Sequence, residues 1–175
     1  MTPLSRGRAA ALVVLRTIVG WHFLYEGYYK LLVPGWSRTG VPLSTWSSGG
    51  YLHAATGPFA YVFHALASWH GHLFVFDRSF TMTGAVDLLV PLGLLAAGLS
   101  LMLGLFTQLG AWTAVFFLTL FYVASIPTAG VPVPNAEGTY LIVNKTLVEL
   151  AAVVVLAVFR TGEIAGLDLL RRRAA

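Results

Sequence analysis

Four apolar stretches, each long enough to cross a bilayer, constrain this chain more than any other feature. A spanning helix needs about 20 largely apolar residues. The stretches cover residues 9–32, 80–105, 108–126 and 140–159. Only 10% of the residues are charged and 57% are hydrophobic. A soluble domain carries about 25% charged residues, because its surface faces water. Most of this surface must face something apolar. The expected architecture is all-α: a single transmembrane domain over 1–175, an integral membrane four-helix bundle.

Arg6 and Arg8 before the first stretch resemble the start of a signal peptide. However, Arg16 interrupts the run, hydrophobicity continues to Val33, and no small-residue cleavage site follows. The segment is therefore read as a retained span. Pro91 falls inside the second stretch, where a proline frees a carbonyl and bends a helix. The second and third stretches meet at a short uncharged turn and form an antiparallel hairpin. Arginines crowd the two tails, at Arg6, Arg8, Arg160 and Arg171 to Arg173. The positive-inside rule then puts both termini in the cytoplasm. The same rule accounts for the net charge of +4 without any nucleic-acid partner.

Residues 33–79 form a long external loop rich in Trp, Tyr, Phe and His. Pro58 is placed to open a short helix, with Phe59, Val62, Phe63, Leu66 and Trp69 at helical spacing. Such a loop fits the headgroup layer, with short interfacial helices capping the outer end of the bundle.

Charges inside a bilayer are costly, and they point inward towards partners or mark function. Candidates are Arg16, Glu26 and Lys30 on the first span, Asp87 on the second, and Asn144, Lys145 and Glu149 on the fourth. At 1.5 Å per residue, Glu26, Asp87 and Glu149 lie roughly 9, 10 and 13 Å from the outer ends of their spans. They are the candidate proton-transferring carboxylates. Glu26/Lys30 and Lys145/Glu149 are i,i+4 pairs. Two readings stay open: mutual neutralisation that fixes helix register, or a ligand or proton-transfer site open to the outer face. Asn135 and Glu137, before the fourth span, either shape a turn or line the mouth of that site.

The chain has no cysteine, which excludes disulfides and thiolate-held metals or clusters from its own residues. His70-Gly71-His72 is the only close histidine pair and His22 the only histidine within a span. Neither metal nor haem is expected.

Arg16-x3-Gly20-x5-Glu26-Gly27-x2-Lys30, the Gly104-Leu105-Phe106-Thr107 turn, Asn135-x-Glu137-Gly138 followed by Asn144-Lys145, and the closing Gly166-Leu167-Asp168 resemble, in that order, the DoxX/DoxD family. The long aromatic loop is more similar to the small subunit of thiosulfate:quinone oxidoreductases. The resemblance implies a protein of a bacterial or archaeal inner membrane, a component of a quinone-linked oxidoreductase. It would work with a partner subunit or as a homo-oligomer and pass electrons from a small sulfur anion or that partner to quinone. Arg16, Glu26, Lys30, Asn135, Glu137, Asn144 and Lys145 are the family-like polar residues. With His22 alongside, all but Glu26 are candidate quinone- or substrate-binding residues. Glu26 acts on protons together with Asp87 and Glu149, which rest on their depth in the spans and not on the resemblance. Two further readings are a non-enzymatic anchor that docks a periplasmic enzyme through the aromatic loop, and a small proton-coupled transporter.

Overall fold

The computed structural model describes residues 4–32, 48–72, 79–126, 139–140 and 142–174. The described chain is predominantly helical. Its long helices are α1 (Arg6–Leu32), α4 (Met82–Leu103), α5 (Thr107–Ala124) and α6 (Lys145–Val158). Between α1 and α4 lie the short helices α2 (Ser48–His53) and α3 (Ala60–Ser68) and a two-stranded ribbon, β1 (His70–His72) against β2 (Ser79–Thr81). A second ribbon, β3 (Thr139–Tyr140) against β4 (Val143–Asn144), leads into α6, and helix α7 (Leu167–Ala174) closes the chain.

Among the described residues, three helices are long and apolar enough to cross a membrane: Arg6–Leu31, Val86–Leu103 and Thr107–Ala124. Only 22–39% of the residues in those stretches are buried within the protein. Their outward faces carry Ile18, Trp21, Leu88, Leu89, Leu92, Leu109, Trp112 and Phe116. An exposed apolar surface of that extent marks a molecule made for lipid. The fourth stretch differs from expectation. Thr139–Tyr140 and Val143–Asn144 are extended instead of helical, and α6 begins only at Lys145, where the Asn144 carboxamide accepts the Leu147 N–H at 2.9 Å and caps the helix. At 14 residues α6 is about 21 Å long.

The four long helices share one core: Val19 and Phe23 from α1, Leu94, Ala97 and Leu101 from α4, Ala111, Ala114, Phe117 and Leu118 from α5, and Val153, Leu156 and Ala157 from α6. They neighbour one another in the order α1, α4, α5, α6, and the α1–α4 contact is by far the most extensive. It is made by small residues. A Cβ on Gly98 would lie 2.3 Å from the Leu24 backbone nitrogen, and one on Gly27 would lie 2.6 Å from that of Leu95. Backbones approach this closely only where side chains are missing, which is how helices associate without a hydrophobic drive from water. Pro91 lies inside α4, fully buried, with its carbonyl against Gly27.

The termini and the α4–α5 turn lie at one end of this assembly; α2 and α3 cap the other. Leu52, Ala55 and Phe63 form a small core with Ala124 at the end of α5. The Thr56 N–H donates to the Ala124 carbonyl at 2.9 Å, and the Thr56 hydroxyl to that of Ile126 at 3.1 Å. The helix expected after Pro58 is present as α3, but of its apolar residues only Phe63 is buried; Phe59, Val62 and Trp69 are exposed.

Gly98→Leu forces α1 and α4 apart and is expected to lower stability by about 1–3 kcal/mol, the usual cost of overpacking. Gly7→Ala, at a position with no neighbour within 4 Å of a new Cβ, should change nothing. Thermal unfolding of the two variants in detergent checks the contrast.

Candidate functional site

Along α1, His22, Glu26 and Lys30 recur every four residues and form one stripe, with steps of about 6 Å. The Lys30 ammonium pairs with the Glu26 carboxylate. Across the gap, α6 supplies Glu149, whose Oε1 lies 3.6 Å from His22 Nε2. Glu26 is near enough for its charge to act on Glu149. Capping by Asn144 decides where α6 starts, and so places Lys145 in its first turn and Glu149 one turn on.

His22, Lys145 and Glu149 edge a cleft of about 460 Å³ between α1 and α6, lined also by Ile18, Val19, Val143, Asn144, Val148 and Ala152, while Glu26 and Lys30 lie outside its lining. The α1–α6 seam is the most thinly sealed of the four, which is why the cleft forms there. Its walls are aliphatic, and its polar groups are an imidazole, a carboxylate, an ammonium and an amide. With Glu26 and Lys30 included, the cluster holds two carboxyl groups, two amino groups and an imidazole. The imidazole and the carboxylate, 3.6 Å apart, are just beyond direct hydrogen-bond length, so each can turn to a ligand atom in the cleft. The arrangement suits a small ligand with polar oxygens and an apolar body, and a proton can pass between it and either side chain.

Other candidates lie elsewhere. Arg16 sits six residues before His22, about 9 Å along α1, and does not line the cleft. It is 3% exposed, and its Nη1 donates to the carbonyls of Thr161 at 2.9 Å and Ala165 at 2.5 Å. Nearby, the Asp168 carboxylate accepts the N–H groups of Phe106 at 2.8 Å and Thr107 at 2.9 Å, which satisfies the start of α5. The Asp168 N–H donates to the Gly104 carbonyl at 2.8 Å. Gly104, at φ +63°, and Gly166, at φ +147°, pass so closely that a Cβ on either would lie 2.7 Å from the other's Cα. Arg16, the 104–107 turn and the 166–168 segment, which are scattered in sequence, thus form one knot at the termini end.

Asp87 is also apart from the cleft: its Oδ1 accepts the Ser48 N–H at 2.6 Å and holds the start of α2. Asn135 and Glu137 lie outside the described residues. Among the described residues, no group of three or more His, Asp or Glu is placed to hold a metal ion. Sequence reasoning missed the cleft walls, Val143 and Val148 above all, and the capping role of Asp168. The His22/Glu26 spacing on one helix face was the available pointer to the cleft.

Compared with models of protein families, with curated proteins and with solved structures, the chain matches none.

Asp168→Ala removes the acceptor for two backbone amides at the head of α5 and should destabilise the protein by about 1–3 kcal/mol. The cleft is built from other helices, so ligand binding there should survive in the folded fraction. Thermal unfolding and binding, measured on the same preparation, check both.

Proposed function

We propose that this chain is a membrane component of a quinone-linked oxidoreductase and that the α1–α6 cleft receives the quinone. The observation that carries the reading is the cleft itself: aliphatic walls on the flank of lipid-facing helices, with a carboxylate, an imidazole and an ammonium at its edge. A ligand dissolved in the bilayer reaches such a site sideways. In this reading α1, α4, α5 and α6 all cross the membrane as a four-helix bundle, both termini are cytoplasmic, and the membrane is the inner membrane of a bacterium or archaeon. The motif order similar to DoxX/DoxD proteins supports the same assignment.

A bound quinone supplies a two-electron, two-proton acceptor; the electrons come from a partner subunit or a small sulfur anion. Glu149 and His22 hold and deliver the protons at Oε1 and Nε2. Lys145, at the edge of the cleft, favours negative charge developing on a carbonyl oxygen or an incoming anion. Glu26 and Lys30 balance the charge of the cluster. Val143, Val148, Ile18 and Ala152 exclude water from the ligand body.

A second reading is favoured by a separate observation. Tyr61, Phe59 and Trp69 stand exposed on the α2–α3 cap, which suits an anchor that docks an enzyme on that side of the membrane.

Purified in native lipid, the wild type should retain quinone. Glu149→Gln and His22→Leu should weaken its binding by about tenfold or more, the loss of one charged hydrogen bond. Asp87→Asn, away from the cleft, should bind as the wild type does. Equal binding by all four proteins, or none by the wild type, would overturn the quinone reading and leave docking as the better account.

A further inference from the structure

The net positive charge of this chain is confined to its two terminal segments. Residues 1–16 and 159–175 hold seven arginines and two acids, whereas residues 17–158 hold four basic and five acidic residues. The fold brings these segments to one end, and the two acids there are already engaged. Asp168 accepts backbone amides of α5, and Glu163 lies 3.7 Å from Arg160. Arg16 is buried on main-chain carbonyls. An excess of arginine therefore remains at this end, three of it consecutive at 171–173 in α7.

α7 also carries apolar residues that its own protein does not cover. Leu167 and Leu170, three residues apart, are 39% and 58% exposed. A short helix with exposed leucines and a run of arginines matches the pattern of a segment lying in the membrane surface plane. Leucines facing water beside the end of a bundle of lipid-facing helices are otherwise unexplained. They distinguish a lipid surface from a nucleic acid or an acidic protein, to which arginines alone would be suited.

We propose that α7 is an in-plane helix that binds anionic phospholipid headgroups, with Leu167 and Leu170 in the acyl boundary and the charge of the arginine run at 171–173 supplying the attraction to the phosphates. The helix is fixed firmly to the bundle. Asp168 caps α5, its N–H reaches Gly104, and Gly166 packs on Gly104. Headgroup binding at α7 therefore stabilises the whole fold by mass action, whatever fills the α1–α6 cleft.

The test uses the intact protein in a neutral detergent, titrated with phosphatidylglycerol, with phosphatidylcholine or with inorganic phosphate; retained lipid and the thermal midpoint are read together. The wild type should bind phosphatidylglycerol at least about tenfold more tightly than phosphatidylcholine, since each arginine adds to the attraction. Its midpoint should rise with phosphatidylglycerol alone. R171Q/R172Q/R173Q should lose that preference, and Leu170→Gln should weaken retention of both lipids while keeping the arginines. Equal binding of the two lipids, equal stabilisation by inorganic phosphate, or a preference that survives in R171Q/R172Q/R173Q would overturn the proposal. Should that variant fail to fold, the lipid and phosphate comparison on the wild type and on Leu170→Gln still decides it.

Discussion

Gly98 of α4 lies against the backbone of α1 at Leu24, and Gly27 of α1 lies against α4 at Leu95; this double approach fixes the rotation of α1 about its own axis. A turn of one residue, 100° on the helix, would take His22 away from Glu149. The polar stripe and the glycine contact occupy different faces of the same helix. Packing on one face aims the chemistry on the other. Because the α1–α4 seam is so close, α1 leaves α6 thinly covered, and the cleft opens along that seam.

The two ends of the molecule serve different purposes in this architecture. At the termini end, Arg16, Asp168 and the paired glycines 104 and 166 satisfy helix ends that would otherwise be left with unpaired amides and carbonyls, and they tie α1, α5, α6 and α7 to one level. At the other end, α2 and α3 sit on the last turn of α5 and are held by main-chain and hydroxyl hydrogen bonds and by the Asp87 carboxylate at the start of α2. The ionisable groups of the cleft lie between these ends. A polar cluster within lipid-facing helices is retained only where each member has a partner or a ligand. Glu26 with Lys30, and Glu149 with His22, meet that condition pairwise.

Much of the helix layout was legible because apolar runs have a physical length. The first three stretches became α1, α4 and α5 with ends displaced by only a few residues. The fourth was misplaced at its start, since Tyr140 continues an apolar pattern yet pairs in a ribbon; Asn144, a favoured N-cap residue, was the overlooked boundary. Charges were harder to interpret. Arg16 and Asp87 in apolar runs invite a site, but their partners are main-chain groups of Thr161, Ala165 and Ser48, which no local spacing reveals. Lys30 and Glu26 were legible as an i,i+4 pair, whereas the approach of His22 to Glu149 depends on how α1 is turned against α4.

Whether the α1–α6 cleft faces lipid and takes a lipid-borne ligand can be measured directly, because the absence of cysteine makes a single-site probe straightforward. A nitroxide attached at Val148→Cys, on the cleft wall, can be tested for collisions with oxygen and with a water-soluble nickel chelate in proteoliposomes. For a lipid-facing quinone cleft, oxygen collisions dominate and an added short-chain quinone reduces them. Dominance of the nickel chelate, or oxygen access unchanged by quinone, would contradict that assignment.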